Sequence, residues 1–420
     1  MWRSKSSFST SLLARLHGFK SGIKSPMLLL KKWLACFGVL CLSTSAWNQV
    51  DTSFSQLLTT IHASTAVDNN ARIEAFIETH SQVPIIEGDT VIFLARKKGH
   101  TPPTLLADFN GFLHPRYVKD RSLGSMASIP GSTWYFRKTF LSATAIINYA
   151  YAYGDESHTD PLNPNLRQSF GSLTSFIKMP DRATPPEIII DHSLPRGKVS
   201  KQTLASQRLG HDRTIHVYLP PDYEEMEQAV PTVYFHDGSF YVNEARIPQI
   251  LDYLIAHQRI QPVIAIFDDP VIRGKEYRGD EAYRDYIAQE LIPYIDKTYR
   301  TLPTADQRAV IGGSRGGLSA LHLAHSTAGF GKCGAFSPAI IPIPIPEFLG
   351  TLKTHGHSPK QLFISGSVYD YIWYPDALSL RNHFQKSELD FQYQEIIEGH
   401  NIPAWRSLLD EMLVFFFPAP

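Results

Sequence analysis

Residues 309–317 read AVIGGSRGG, and LSALHLAHS follows at helical spacing. Gly312, Ser314 and Gly316 thus form G-x-S-x-G between a predicted strand and a predicted helix, the setting in which this motif puts a serine on a tight strand-to-helix turn. Small neighbours make room for that turn, so the hydroxyl projects from it while backbone N–H groups face whatever the hydroxyl attacks. Outward from it lie TIHVYLPPDY (214–223), TVYFHDG (232–238), VIAIFDD (263–269), CGAFSP (333–338) and QLFISGS (361–367), apolar runs ending in turn residues. Amphipathic stretches at 280–298 and 316–328 separate them. Strands alternating with helices from residue 179 to 420 predict an α/β domain, a mostly parallel sheet with helices on both faces.

Upstream the grammar differs. Residues 52–80 show helical spacing in two pieces, after which VIFLARK (91–97), TLLADFNGF (104–112), STWYFRKTF (132–140) and NYAYAY (148–153) read as strands between turns. Residues 47–178 are therefore expected to form a β-sandwich behind two leading helices, joined to the α/β domain through the Pro-rich MPDRATPPEIII (179–190). In such a sandwich alternate residues face inward, so Trp134, Tyr135 and Phe136 read as core rather than as a sugar-binding platform.

The 420 residues are 43% hydrophobic and 19% charged, enough apolar surface for sizeable cores and too much for a disordered chain. Lys plus Arg equals Asp plus Glu at 40 each, but residues 1–46 hold seven of the basic residues and no carboxylate. The rest carries 33 basic and 40 acidic residues, a net of −7 that gives no footprint for nucleic acid or an anionic membrane. Within the basic leader, Lys31 and Lys32 precede the apolar run Trp33–Leu42, and Thr44 and Ala46 offer small residues for cleavage. Ten residues rise about 15 Å as a helix, half of a bilayer core. The leader therefore reads as a signal peptide over 1–46, with Met27 as an alternative start, and the mature protein as periplasmic or secreted without stable membrane insertion. Cys36 and Cys41 fall in the leader, which leaves Cys333 as a core thiol with no partner for an intramolecular disulfide.

A serine nucleophile on such a turn takes its acid and base from downstream, in the order Ser, Asp or Glu, His. His400 in IIEGHNIPAW follows the predicted strand FQYQEII near the chain end and is the expected base. The orienting acid should follow QLFISG, with Asp370 in SGSVYDYIWYPD as first candidate and Asp376 as second, and a dyad without a strong acid left open. An oxyanion hole needs two backbone donors: Arg315, which follows the nucleophile, and Asp237 or Gly238 in YFHDGSF. His322 and His325 stand three apart on the nucleophile helix, but no carboxylate completes that pattern, so packing is expected and no metal.

These pieces resemble the enterochelin esterase-like and esterase D-like α/β-hydrolases over roughly residues 84–415. The resemblance is carried by RTIHVYLPPDY (213–223), HDG (236–238), the segment from Arg273 through Glu276 to ELIPYI (290–295), GGSRGGLSAL (312–321) and EGHNIPAWR (398–406). Upstream, LLADFNGF (105–112) and DPLNP (160–164) resemble the immunoglobulin-like N-terminal module of enterochelin esterases. The resemblance implies a hydrolase of carboxylic esters on small molecules or glycans, with Ser314 as nucleophile, His400 as base, Asp370 as acid and no cofactor. Arg273 and Glu276 in VIRGKEYRG are candidate substrate-binding residues, the arginine toward an anionic or carbonyl-rich group, with a structural ion pair holding a loop as the alternative. Two other classes stay open: an acyltransferase using the same residues, and a non-catalytic carbohydrate-binding protein resting on the N-terminal module.

Overall fold

A computed structural model of the chain describes residues 52–65, 68–340 and 342–420. The expected signal peptide, with Met27, Cys36 and Cys41, lies outside them. Helix Phe54–Ala63 begins at Ser53, whose hydroxyl accepts the Gln56 N–H while the Gln56 side chain accepts the Ser53 N–H, a reciprocal cap that satisfies two otherwise free donors. Phe54, Leu57 and Ile61 of this helix and Ile73 and Phe76 of helix Asn70–Glu78 pack on Ile85, Ile92, Leu94 and Trp134 of the sheet below. Trp134 is thus buried, as its place in an alternating strand requires.

The strands of this part are β1 (Ile85–Glu87), β2 (Thr90–Arg96), β3 (Thr104–Ala107), β4 (Ala127–Ser128), β5 (Trp134–Phe140), β6 (Ile146–Tyr153), β7 (Glu156–His158), β8 (Leu166–Ser169) and β9 (Ser172–Lys178). They pair antiparallel as β1-β2-β5-β4 and β3-β6-β9-β8, with β7 beside β6. Val91, Phe93 and Ala95 share a core with Leu105, Ile147, Tyr149 and Ile177 of the second sheet. β2 is covered on both faces, which is why its sequence is apolar without alternation.

TLLADFNGF does not remain extended. After Ala107 the chain turns into a short 3-10 segment, Asp108–Leu113, in which Gly111, Phe112 and Leu113 take positive φ. Asn110 compels the turn: its side chain accepts the Ala107 N–H and donates to the carbonyls of Leu105 and Leu123, replacing the ladder bonds a strand would have made.

The second part is one sheet of β10 (Lys198–Ser206), β11 (His211–Leu219), β12 (Thr232–His236), β13 (Ile264–Asp268), β14 (Arg308–Gly313), β15 (Lys332–Phe336), β16 (Gln361–Ser367) and β17 (Asp390–Ile396). The order is β10-β11-β13-β12-β14-β15-β16-β17; β10 and β11 run antiparallel to their neighbours and the rest are parallel. Val310 points into the core on one face while Ala309 and Ile311 point into the other, so both faces are roofed by helices as the runs of apolar residues require. Cys333 on β15 is fully buried, and burial pushes its thiol well above the usual range. The amphipathic stretch at 280–298 is helical but not uniform. Helix Glu281–Tyr286 passes through a π turn, Ile287–Leu291, into helix Ile292–Thr298, with Pro293, which has no N–H to donate, in the first turn of the last piece.

One buried charge fixes the ends of several of these elements. Arg213 of β11 has no solvent exposure, and its guanidinium donates to Asp268 (2.5 and 3.3 Å) and Glu276 (2.7 Å). Asp268, the last residue of β13, also accepts the hydroxyls of Tyr283 (2.9 Å) and Tyr286 (3.1 Å). Tyr283 Oη in turn lies 3.0 Å from His236 Nδ1 at the end of β12. Truncating the arginine would leave two buried carboxylates without their counter-ion, so Arg213→Met is expected to lower the unfolding free energy by about 3–5 kcal/mol. Urea denaturation checks this; a loss under about 1 kcal/mol would mean that the guanidinium is not what holds these strand ends.

Candidate active site

Ser314 follows β14 and caps helix Arg315–Ser326 at φ 58 and ψ −125, a conformation that costs a non-glycine residue about 1–3 kcal/mol and persists only where neighbours enforce it. They do so by hydrogen bonds on both sides. Its N–H donates to Phe336 O (2.9 Å), and its carbonyl accepts the N–H groups of Leu318 (3.1 Å) and Ala339 (3.0 Å). A methyl group on Gly312 would overlap the backbone of Gly316, so these two motif glycines are what let strand and helix meet.

His400 follows β17 in a loop and is held between two indoles: Trp373 at 4.3 Å between ring centroids and Trp405 edge-on at 5.1 Å. Trp405 also lies over Gly313, leaving no room for a side chain there, so one residue touches both the His400 loop and the serine turn. Nδ1 of His400 is 2.6 Å from Asp370 Oδ2, and Asp370 Oδ1 accepts the N–H groups of Ile372 (3.3 Å) and Trp373 (3.1 Å). Nε2 of His400 is buried without a hydrogen-bond partner. Asp376, the second candidate, sits in helix Tyr374–Phe384 and accepts the Ile340 N–H at 3.2 Å; it is Asp370 that meets the imidazole.

Arg315 is the first residue of helix Arg315–Ser326, where backbone N–H groups have no partner within the helix. On the facing loop the expectation needs correction. The N–H of Asp237 donates to Tyr277 Oη (2.9 Å), so it is not a free donor. Gly238 is the first residue of helix Gly238–Asn243, a position whose N–H has no partner within the helix, while Ser239 gives its N–H and hydroxyl to Asp269 (2.6 and 2.5 Å). The Asp237 carboxylate instead takes both arms of Arg273 (2.6 and 2.7 Å); burial raises its pKa, against the pull of that guanidinium.

Glu276 takes the second of its two expected roles, a structural ion pair rather than a substrate contact. It is buried, one oxygen bound to Arg213 and the other to the N–H groups of Val271 (3.0 Å) and Ile272 (2.6 Å). It shapes the loop that presents Arg273 and has no face left for a substrate. His236 is pushed down to about 3 by burial, reinforced by the charges of Arg273 and Arg213, and so is neutral at ordinary pH. His322 is likewise pushed down to about 4 by burial, and His325 Nδ1 lies 2.8 Å from Leu321 O. Among the described residues no group of three His, Cys, Asp or Glu side chains is placed to hold a metal ion.

Sequence reasoning missed what braces the two loops from the N-terminal part. Asp108 of LLADFNGF lies where any side chain on Gly399 would have to go, and a methyl on Gly111 would stand 3.0 Å from Ile372. Tyr117 packs edge-on against Trp373 at 5.5 Å, and Phe170, in the turn between β8 and β9, packs on Trp405 at 5.5 Å and beneath the Arg273 guanidinium at 5.7 Å. Arg167 and Arg182 bind Glu398, two residues before His400 (3.2 and 2.8 Å). The only sequence signal for any of this was the LLADFNGF motif itself.

Residues 206–375 match the family model described as "Putative esterase". The fold is that of the crystallised ferric enterobactin esterase of Salmonella typhimurium, at a TM-score of 0.66 and 20% identity, over 82% of this chain and 98% of that one. Among curated sequences, the uncharacterized protein YjcH of Bacillus subtilis is 24% identical over 52% of this chain and 96% of its own length. The iron(III) enterobactin esterase of Escherichia coli O6:H1 is 25% identical over 39% of this chain and 41% of its own length. With these matches the chain is a carboxylic ester hydrolase.

Asp108 offers a test of the brace. Its Oδ2 accepts the Asn148 N–H (2.6 Å), and burial raises its pKa to about 7, opposed by Arg167. Between pH 4 and 7 the folded state therefore keeps a proton that the unfolded chain releases, and stability falls as pH rises through that window. Asp108→Asn removes the ionisable group and should flatten this part of the curve. Urea unfolding at pH 4.5, 5.5 and 7 measures it; an unchanged slope would mean Asp108 is ionised in the folded protein.

Proposed function

We propose that the chain is an exported serine esterase in which an immunoglobulin-like N-terminal module, residues 47–178, braces an α/β-hydrolase domain, residues 179–420. The nucleophile is Ser314, the base His400 and the orienting acid Asp370. What supports this reading is the imidazole: Nδ1 faces a carboxylate at 2.6 Å while the buried Nε2 has no partner. With its proton on Nδ1, the ring offers an Nε2 lone pair to a hydroxyl.

In the acylation step the Ser314 proton passes to Nε2 as Oγ bonds to the ester carbonyl carbon. The oxyanion is held by the N–H groups of Arg315 and Gly238. As the C–O bond to the leaving alcohol breaks, the imidazolium returns its proton to that alcohol, and water attacks the acyl-serine by the same route. The substrate is a siderophore, acyl-sugar or related ester, a class to which the similarity to enterobactin esterases lends support. Arg273, oriented by Asp237, faces its carbonyl-rich or anionic part. Export rests on the leader, residues 1–46.

Labelling of the intact protein with a fluorophosphonate, with mapping of the modified peptide, tests the nucleophile. Label is expected on Ser314 and is lost in His400→Ala; Ser314→Ala should lose about four to six orders of magnitude of ester turnover. Label elsewhere, or turnover surviving in Ser314→Ala, would overturn the assignment. Added glycerol should give no transfer product; transfer outrunning hydrolysis would instead mark an acyltransferase. The brace makes a separate prediction. Gly399→Ala pushes its loop off Asp108 by the width of a methyl, and kcat/KM should fall about a hundredfold. Near-normal kinetics in a folded Gly399→Ala variant would mean that contact does not position His400.

A further inference from the structure

A cavity of about 480 Å³ lies behind the His400 loop, between β8, β9 and the linker on one side and helix Ile402–Arg406 with the 243–246 turn on the other. None of Ser314, Asp370 or His400 lines it. Its charge is unusual for a chain with balanced acids and bases. Arg167, Lys178, Arg182, Arg246 and Arg406 line it against two carboxylates, Glu244 and Glu398.

Glu398 is fully engaged, whereas Glu244 is engaged through Oε1 alone and its Oε2 is buried without a partner. Glu398 is shared by Arg167 and Arg182, and Glu244 Oε1 accepts the Gly171 N–H (2.8 Å). Arg406 has no ion-pair partner among the described residues; its hydrogen bond is a long one, 3.5 Å, to the Glu244 carbonyl. Burial, with Arg167 next, pushes the Arg406 guanidinium below its usual range. Arg406 Nε and Arg167 Nη2 are both buried without acceptors. Those two nitrogens are sealed from solvent, and the case for a ligand rests on the lining itself: five cations and two carboxylates surround a space of small-ligand size, more positive charge than the protein neutralises there.

We propose that this cavity is a binding site for a small polyanion, a molecule carrying two or more carboxylate or phosphate groups. Planar guanidinium donors match the paired oxygens of either group, whereas a neutral ligand would satisfy the donors and leave the charge. The occupant contacts the arginines that hold Glu398, not the reacting ester, and the proposal does not depend on Ser314 being the nucleophile.

The test is isothermal titration calorimetry of the full chain with citrate and, separately, with inorganic phosphate, at ionic strength held constant with sodium chloride. Saturable one-to-one binding is expected with a dissociation constant below about 1 mM. Lys178→Ala/Arg246→Ala alters two exposed lining residues outside the catalytic machinery and should weaken binding at least about tenfold, with thermal unfolding and turnover of p-nitrophenyl acetate unchanged. Tighter citrate identifies a carboxylate ligand and tighter phosphate a phosphoryl one; both uphold the site. No saturable binding of either anion, or equal affinity in the double variant, overturns it.

Discussion

A guanidinium without solvent must be neutralised where it stands, and much of the larger sheet and its loops is arranged around meeting that demand for Arg213. Its partners come from the end of β13 and from the segment after it, so the ion pair fixes the loop that leaves the sheet there. Glu276 passes the constraint to Val271 and Ile272, and Tyr283 carries it to His236 beside Asp237. The Arg273–Asp237 pair, which abuts helix Arg315–Ser326 at Gly316, therefore rests on a charge two strands away. Buried networks of this kind are worth little as net stability but confine the loops they join to one arrangement.

A second dependence runs between the two parts of the chain. The serine turn is built wholly from the larger sheet and its helices, but the loops carrying Asp370 and His400 are gripped from outside it, by Asp108, Gly111, Tyr117 and the β8–β9 turn. The described residues accordingly cluster as one compact unit. The N-terminal part completes the geometry of the site instead of hanging beside it.

This division explains what could be read in the sequence. Ser314 was legible because a strand, a turn and a helix are local, and their periodicities and glycines are printed within about fifteen residues. His400 followed from chain order, and Asp370 over Asp376 from its nearness to a strand end. A structural ion pair was one of two readings for Glu276, but its partner and that of Asp237 were not legible, since which way a carboxylate turns depends on cations brought up by other segments: Arg273 for Asp237, Arg213 for Glu276. Extending TLLADFNGF as a strand failed for a local reason, the competition of the Asn110 amide with the ladder. The need for glycine at 399 lies in a contact with a residue almost three hundred positions earlier, which no window of sequence contains.

Cys333 has a practical consequence. It is the single thiol of the described residues, shut inside β15 and held in its protonated form by burial, so it is a poor target for oxidants and has no neighbour to cross-link. Packing, hydrogen bonds and ion pairs hold the described architecture, with no disulfide among the described residues. Its stability is consequently indifferent to the thiol–disulfide potential around it, and material folded under strongly reducing conditions should be interchangeable with material folded in air.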